Sequence, residues 1–252
     1  MALVDFNGQI HYVVGAASGI GQAAALRLGE LGATVVCIDR DQEGLENTRT
    51  SLEETGAAVY VATADVTDGD LVRDTFGHLL ETFGPIDGLV NCAGVTGATG
   101  IKTHEVDPDD FDRVYAVNMR GALAVSQAVL PSMMDQRYGR ILHVASISGK
   151  DGNAGMAAYS ATKAGLIGLV KVMGKEYAES GITVNALAPA VVRTPILDGL
   201  PQSQIEYMTA KIPMGRTGTL TEVADMIAWI VSRECSFVTG FTFDLTGGRA
   251  VY

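Results

Sequence analysis

Tyr159 and Lys163 stand one helical turn apart in Tyr159-Ser160-Ala161-Thr162-Lys163, within an amphipathic segment spanning 156–180. An i,i+4 pair lies on one face of a helix, so the ammonium can approach the phenol. Tyrosine ordinarily titrates near ~10, and lowering it by about three units to work near neutrality needs roughly 4 kcal/mol. One cation at ~4 Å supplies about that much at an effective dielectric of ~20. The spacing therefore predicts a phenol tuned as an acid/base, although such pairs also occur on helices that do no chemistry. Ser146 follows an apolar run, where its hydroxyl can hold a substrate oxygen and stabilise charge developing there. A lone serine is otherwise a turn or helix cap. Asn118 lies in the middle of a long helical pattern, 107–136, where asparagine is a poor helix former. Its amide is expected to be in use, for instance holding a water beside Lys163.

A second constellation could hold a nucleotide. Gly15-Ala16-Ala17-Ser18-Gly19-Ile20-Gly21 follows the first apolar run and opens a helical pattern. A glycine turn there lets backbone N–H groups approach a pyrophosphate, and the helix N-terminus adds partial positive charge. The spacing is GxxxGxG rather than GxGxxG, and any tight strand-to-helix turn favours glycine. Asp39 closes the second run, near the ~20-residue offset at which a carboxylate receives the adenosine ribose hydroxyls. A carboxylate there accepts from NAD and repels a 2′-phosphate. Arg40 follows directly and could instead hold that phosphate, but the slot before Gly19 is Ser18 rather than a second basic residue. NAD is the expected cofactor, with Arg40 as the feature that would permit NADP.

These residues need a scaffold. Apolar runs at 10–14, 34–39, 58–63, 86–91, 140–146, 183–188 and 241–245 alternate with helical patterns at 19–31, 42–54, 68–83, 107–136, 156–180 and 221–232. Short continuous apolar runs suit strands covered on both faces, and strand–helix alternation predicts right-handed βαβ units. The expected fold is α/β: a Rossmann-type, doubly wound, seven-stranded parallel sheet with helices on both faces, in one domain spanning 1–252. Gly32 and Gly181 mark helix ends, Asp107-Pro108 marks a helix start, and Thr221 with Glu222 offers another. The stretch 190–220, broken by Pro195, Pro201 and Pro213, is expected to be a substrate lid or else a solvated excursion.

Composition narrows the class. The chain has 252 residues, 47% of them hydrophobic, with 30 glycines and a net charge of -11. Nucleic acid and anionic membrane both want clustered Lys and Arg, so neither is an expected partner. Cys37, Cys92 and Cys235 are an odd count without ligand spacing, read as free thiols with no metal site. No secretory signal or ~20-residue apolar span is visible, so a cytoplasmic location is expected.

The motifs together resemble the short-chain dehydrogenase/reductase family, in its branch of single-domain enzymes. The match runs through Gly15-x-x-x-Gly19-x-Gly21, Asp65-Val66, Asn91-Cys92-Ala93-Gly94, Val117-Asn118, Ser146, Tyr159-x-x-x-Lys163, Asn185-x-x-x-Pro189 and Gly247-Gly248. The resemblance implies Tyr159 as acid/base, Lys163 lowering its pKa and holding the nicotinamide ribose, Ser146 positioning the substrate oxygen, and Asn118 completing a proton relay. It places Asp65 and Val66 beside the adenine, Asn91 steadying the sheet near Ala93 and Gly94, Ile20 at the pyrophosphate, and Val192 and Thr194, after Pro189, at the nicotinamide amide. Val14 departs from the threonine usual before the first glycine, and Ala190 from the glycine usual after Pro189.

The small-molecule substrate is less legible. Lys150 and Arg193 are candidate anion holders, and Ser148 and Asn153 candidate hydroxyl partners, beside Ser146 and Tyr159. The 146–156 stretch and the tail 248–252 look like NAD-dependent dehydrogenases of sugars and deoxy-sugar acids. Two alternatives stay open: a 3-oxoacyl-acyl-carrier-protein reductase, and a non-enzymatic dinucleotide sensor. The resemblance also implies a homotetramer built on 107–136 and 156–180, where Leu123, Val129, Leu166 and Val170 could face either an interface or the core.

Overall fold

All seven apolar runs form strands: β1 Ile10–Val14, β2 Thr34–Asp39, β3 Val59–Thr63, β4 Gly88–Asn91, β5 Gly139–Val144, β6 Ile182–Pro189 and β7 Thr242–Leu245. The computed structural model describes residues 4–194, 202–250 and 252. The sheet order is β3-β2-β1-β4-β5-β6-β7, and every neighbouring pair is parallel. The chain winds outward from β1 to β3, returns to lay β4 beside β1, and then winds the other way. Successive connections therefore diverge at β1 and β4, which opens a crevice beyond the carboxyl ends of those strands.

Helices cover both faces. On one, α3 (Gly69–Phe83), α5 (Ala122–Gln136) and α7 (Ala157–Glu176) press Phe76, Val129, Met133 and Val170 against Tyr12, Val36 and Val184. On the other, α1 (Gly19–Glu30), α2 (Gln42–Glu54) and α9 (Leu220–Ile230) bury Leu28, Leu45 and Ile227 against Val13, Val35 and Leu187. Each fully buried side chain of this size contributes ~1.5–3 kcal/mol of transfer free energy. Val129, Leu166 and Val170 are buried in the chain's own interior, whereas Leu123 is 39% exposed. Periodicity could not separate these positions.

Three boundaries differ from expectation. The 107–136 pattern is not one helix: α4 (Pro108–Tyr115) passes through a π-helical turn, Ala116–Gly121, before α5 begins. The last helix starts at Leu220, capped by Thr219 rather than Thr221, because Thr219 and Glu222 bond reciprocally to each other's backbone N–H. Segment 140–146 stops as a strand at Val144, so Ser146 stands beyond the sheet, at the crevice. Of the expected lid, α8 (Gln202–Thr209) is helical, and 195–201 lie outside the described residues.

Candidate active site

The glycine turn binds its own backbone first. Gly15 adopts φ +80, and a Cβ there would meet the Ala93 nitrogen at 2.7 Å, so only glycine lets β1 and β4 end side by side. Ser18 precedes α1 in extended conformation and its hydroxyl makes no cap bond, nor is there an acidic residue in the first turn. The N-terminal N–H groups and the positive end of the helix are thus left for an external anion. Gly19, φ +56, has open space above it, the nearest atom to an added Cβ being the Thr194 methyl at 4.0 Å. Ile20 follows, half-buried. Segment 192–194 is held across the turn by a bridge from buried Val192 to Gly218, and Pro189 ends β6 by accepting from Ile147 N at 3.0 Å.

Asp39 lies beside this turn. Its Oδ2 accepts from Ala17 N and its Oδ1 from Asp41 N, both at 3.1 Å. These bonds fix the carboxylate while leaving lone pairs for ribose hydroxyls. Arg40 reaches the other way: its guanidinium is 3.8 Å from Asp65 Oδ2. Asp65 is held below the ordinary carboxylate range first by the Thr67 N–H and then by the Thr67 hydroxyl and Arg40, against the pull of burial. Val66 is buried next to it, and Gly121 is glycine because a Cβ would come within 2.8 Å of the Val66 side chain. The donor set, the open glycine cradle and the carboxylate fit a dinucleotide.

A buried polar chain supports the crevice floor. Asn91 Oδ1 accepts from Ala93 N at 3.2 Å, and its Nδ2 donates to His143 Nδ1 at 3.1 Å. His143 Nε2 then donates to Ser126 Oγ at 3.0 Å, which itself donates to the Ala122 carbonyl at 2.7 Å. This arrangement requires a neutral ring protonated on Nε2. Burial first, and the Lys163 charge second, lower His143 from 6.5 to about 3. His143 and Ser126 were not singled out from the sequence, because a histidine inside an apolar strand gives no sign of what lies above it.

Tyr159, Lys163, Ser146 and Asn118 converge where β4 and β5 end. Lys163 Nζ donates to the Val144 carbonyl at 2.6 Å and lies 5.7 Å from the Tyr159 ring centroid. Gly94 lets the main chain pass close by, since an added Cβ would be 3.2 Å from Lys163 Nζ and 3.4 Å from Asn118 Oδ1. Burial raises the Tyr159 phenol above its ordinary value, and the Ser146 hydroxyl bonded to it acts in the opposite direction. In the chain alone burial therefore outweighs the lowering expected from Lys163. Burial brings Lys163 from 10.5 down to about 8, so the ammonium surrenders part of its charge before the phenol titrates.

Asn118 sits within the π turn, a local unwinding often found at functional positions. Both N–H groups of its amide are engaged within the protein. Nδ2 donates to the Val95 carbonyl at 3.0 Å and to Thr162 Oγ1 at 3.1 Å, while Oδ1 accepts from Val95 N at 2.9 Å. It pins the segment after β4 to the helix carrying Tyr159. Thr162, unremarked between Tyr159 and Lys163, is the other half of that pin.

On the substrate side, Ser148 N donates to Ser146 Oγ at 3.1 Å, and Asn153 Nδ2 donates to Ser148 Oγ at 2.6 Å. Lys150 is already engaged: its ammonium bonds Asp244 Oδ2 at 2.7 Å and the Tyr252 carbonyl. That overturns its expected role as an anion holder. Arg193 is fixed through its backbone, N to Gly218 O at 2.8 Å. Arg249, absent from the expected set, donates to Asn153 Oδ1 at 2.8 Å; the only sign of it was its place in the tail. Among the described residues no His, Cys, Asp or Glu cluster is placed to hold a metal, and no helix is long and apolar enough to cross a membrane.

Known proteins are similar to this chain along most of its length. The family model described as enoyl-(acyl carrier protein) reductase matches residues 15–249. A 2-dehydro-3-deoxy-L-rhamnonate dehydrogenase (NAD(+)) from Sphingomonas sp. (strain SKA58) is 41% identical over 247 residues, covering 98% of this chain and 97% of that protein. The 3-oxoacyl-acyl-carrier-protein reductase FabG of Thermotoga maritima is 38% identical, covering 97% and 99%. Among solved structures, NAD+-bound xylitol dehydrogenase superimposes with a TM-score of 0.91 at 33% identity, covering 96% of this chain and 99% of that one. On its motifs, its sheet and these relatives, the chain belongs to the short-chain dehydrogenase/reductase family of oxidoreductases.

Proposed function

We propose that the protein interconverts a secondary alcohol and a ketone with NAD(H), on a small polyhydroxy substrate of the sugar or 2-keto-3-deoxy sugar-acid class. The observation that carries this reading is the meeting of Ser146, Tyr159 and Lys163 beside an open glycine cradle whose ribose-side carboxylate is Asp39. Gly15, Ser18, Gly19, Ile20 and Gly21 would receive the pyrophosphate, Asp65 and Val66 the adenine, and Ala93, Gly94, Pro189, Val192 and Thr194 the nicotinamide end. Bound NAD supplies a two-electron acceptor for the hydride that leaves the carbinol carbon, together with positive charge near the phenol. Ser146 holds the substrate oxygen. Tyr159 takes the hydroxyl proton as the C=O bond forms, and returns a proton in the reductive direction. Lys163 holds positive charge behind the phenol, and Asn118 keeps its helix in register with the crevice.

The Sphingomonas relative's NAD and deoxy-sugar-acid chemistry supports this assignment. The Thermotoga relative favours a second reading, reduction of 3-oxoacyl thioesters. Turnover of sugars, sugar acids, keto acids and a 3-oxoacyl thioester with NAD(H) and NADP(H), by wild type and Tyr159→Phe, tests both. NAD-linked oxidation of hydroxy acids, lost in the variant, is the expected result; strict NADPH dependence with thioester preference would replace it with the second reading. The chain acts as one catalytic unit in a cytoplasmic homotetramer, and monomeric mass by light scattering would refute that assembly.

A further inference from the structure

We infer that Arg249, on the tail after β7, is the residue that recognises the carboxylate of an acidic substrate and sets the enzyme's preference for acids over uncharged polyols. This rests on the acidic-substrate reading above. Like Lys150, Arg249 is paired with a carboxylate, but its guanidinium carries more donors than that pairing uses. Its Nη2 donates to Asn153 Oδ1 at 2.8 Å and its Nε lies 3.2 Å from Asp151 Oδ2, with the side chain 12% exposed. From Asn153 the bonds lead through Ser148 to Ser146: Asn153 Nδ2 donates to Ser148 Oγ, and Ser148 N donates to Ser146 Oγ. Asn153 N also donates to Ser160 Oγ, the neighbour of Tyr159, at 3.1 Å. Arg249 is thus hydrogen-bonded to the wall of the substrate pocket rather than to remote surface.

The charge of Arg249 reaches the Tyr207 phenol, which the Lys211 ammonium, 4.3 Å from the ring centroid, bonds and lowers more strongly. Lys211 and Arg249 thus act on that phenol in the same direction, in a chain of net charge -11. The backbone that carries Arg249 is fixed: Met214 N donates to Gly247 O at 3.1 Å, Gly248 (φ +91) packs on Pro213, and Arg249 N donates to Thr246 O at 3.2 Å. Asp151 and Asn153 occupy Nε and one Nη2 proton, which leaves Nη1 without a hydrogen bond among the described residues. A guanidinium held on one edge presents the rest of its fork to a planar carboxylate, which an ammonium cannot match.

The test compares an acid with an uncharged polyol, 2-dehydro-3-deoxy-L-rhamnonate and xylitol, in wild type, Arg249→Gln and Arg249→Lys, each with NAD. Arg249→Gln should raise KM for the acid by about tenfold to a hundredfold, the worth of hydrogen bonds to a charged group. The same change should leave kcat/KM for xylitol within about twofold, and Arg249→Lys should restore part of the acid affinity. Equal losses on both substrates would assign Arg249 a purely structural role and overturn the inference. Wild-type preference for the acid that survives in Arg249→Gln overturns the inference alone. A wild type that shows no preference for the acid, or turns over neither compound, sinks the acidic-substrate reading and the anchor with it.

Discussion

The crevice has two halves made in different ways. The cofactor half, at the ends of β1, β2 and β4, is mostly backbone: glycines that admit close approach, a bare helix N-terminus, and one carboxylate tied down by two N–H groups. The half proposed for the substrate, around α6 (Ser148–Asp151) and the tail, is mostly side chains from segments far apart in sequence: Lys150 with Asp244, Arg249 with Asp151 and Asn153. A backbone cradle binds whatever carries a pyrophosphate and ribose. A side-chain lattice can change its ligand by exchanging one residue. The difference teaches where specificity can drift: cofactor geometry is locked into the turn, while substrate choice rests on a few long-range bonds.

The largest expected effect falls where the halves meet. Tyr159→Phe keeps the ring and removes the proton carrier, so kcat should fall by about 10²–10⁴-fold while NADH binding, read by fluorescence, is retained. Loss of both would mean that the phenol mainly builds the cofactor half. Next is Asp39→Ala, which removes the negative charge proposed to meet the adenosine ribose; the NADP-to-NAD efficiency ratio should rise by about a hundredfold. An unchanged ratio would move the discrimination elsewhere and weaken the picture of a locked cofactor half.

A third test concerns what lies beneath that half. His11 and His143 are both buried and lowered by burial from 6.5 to about 3. Between those values the unfolded chain binds protons that the folded chain refuses, so stability present above pH 6.5 is lost as pH falls toward 3. At pH 5 each histidine should cost about 2 kcal/mol relative to pH 7. Urea unfolding at the two pH values measures the loss, and His143→Gln should flatten the dependence. The smallest effect is expected from Lys150→Met: with its ammonium held by Asp244, KM for an acidic substrate should move by no more than about twofold. A large rise in KM would return the anion-holding role to Lys150 and remove it from Arg249.

The contrast also explains what the sequence could reveal. Continuous apolar runs and the glycine turn specify local backbone, so all seven strands and the βα crevice were legible within a few residues. Tyr159 and Lys163 were legible because a helix fixes their relative placement. Lys150 was misjudged because its partners, Asp244 and Tyr252, are distant in sequence and adjacent only after β7 docks beside β6. Arg249 was missed for the same reason. The phenol's upward displacement could not be read either, since it depends on burial, which spacing does not report.

The π turn at Ala116–Gly121 constrains how this chain can change length. One residue removed there would let the backbone close into regular α-helix with α5 kept near its present direction, because a π turn is a helix that has taken up one extra residue. Asn118 would swing away from Val95 and Thr162, uncoupling the helix of Tyr159 from the end of β4. Such a deletion could smooth the helix and silence the enzyme in a single event. The extra residue is thus what aims the Asn118 amide at Val95 and Thr162.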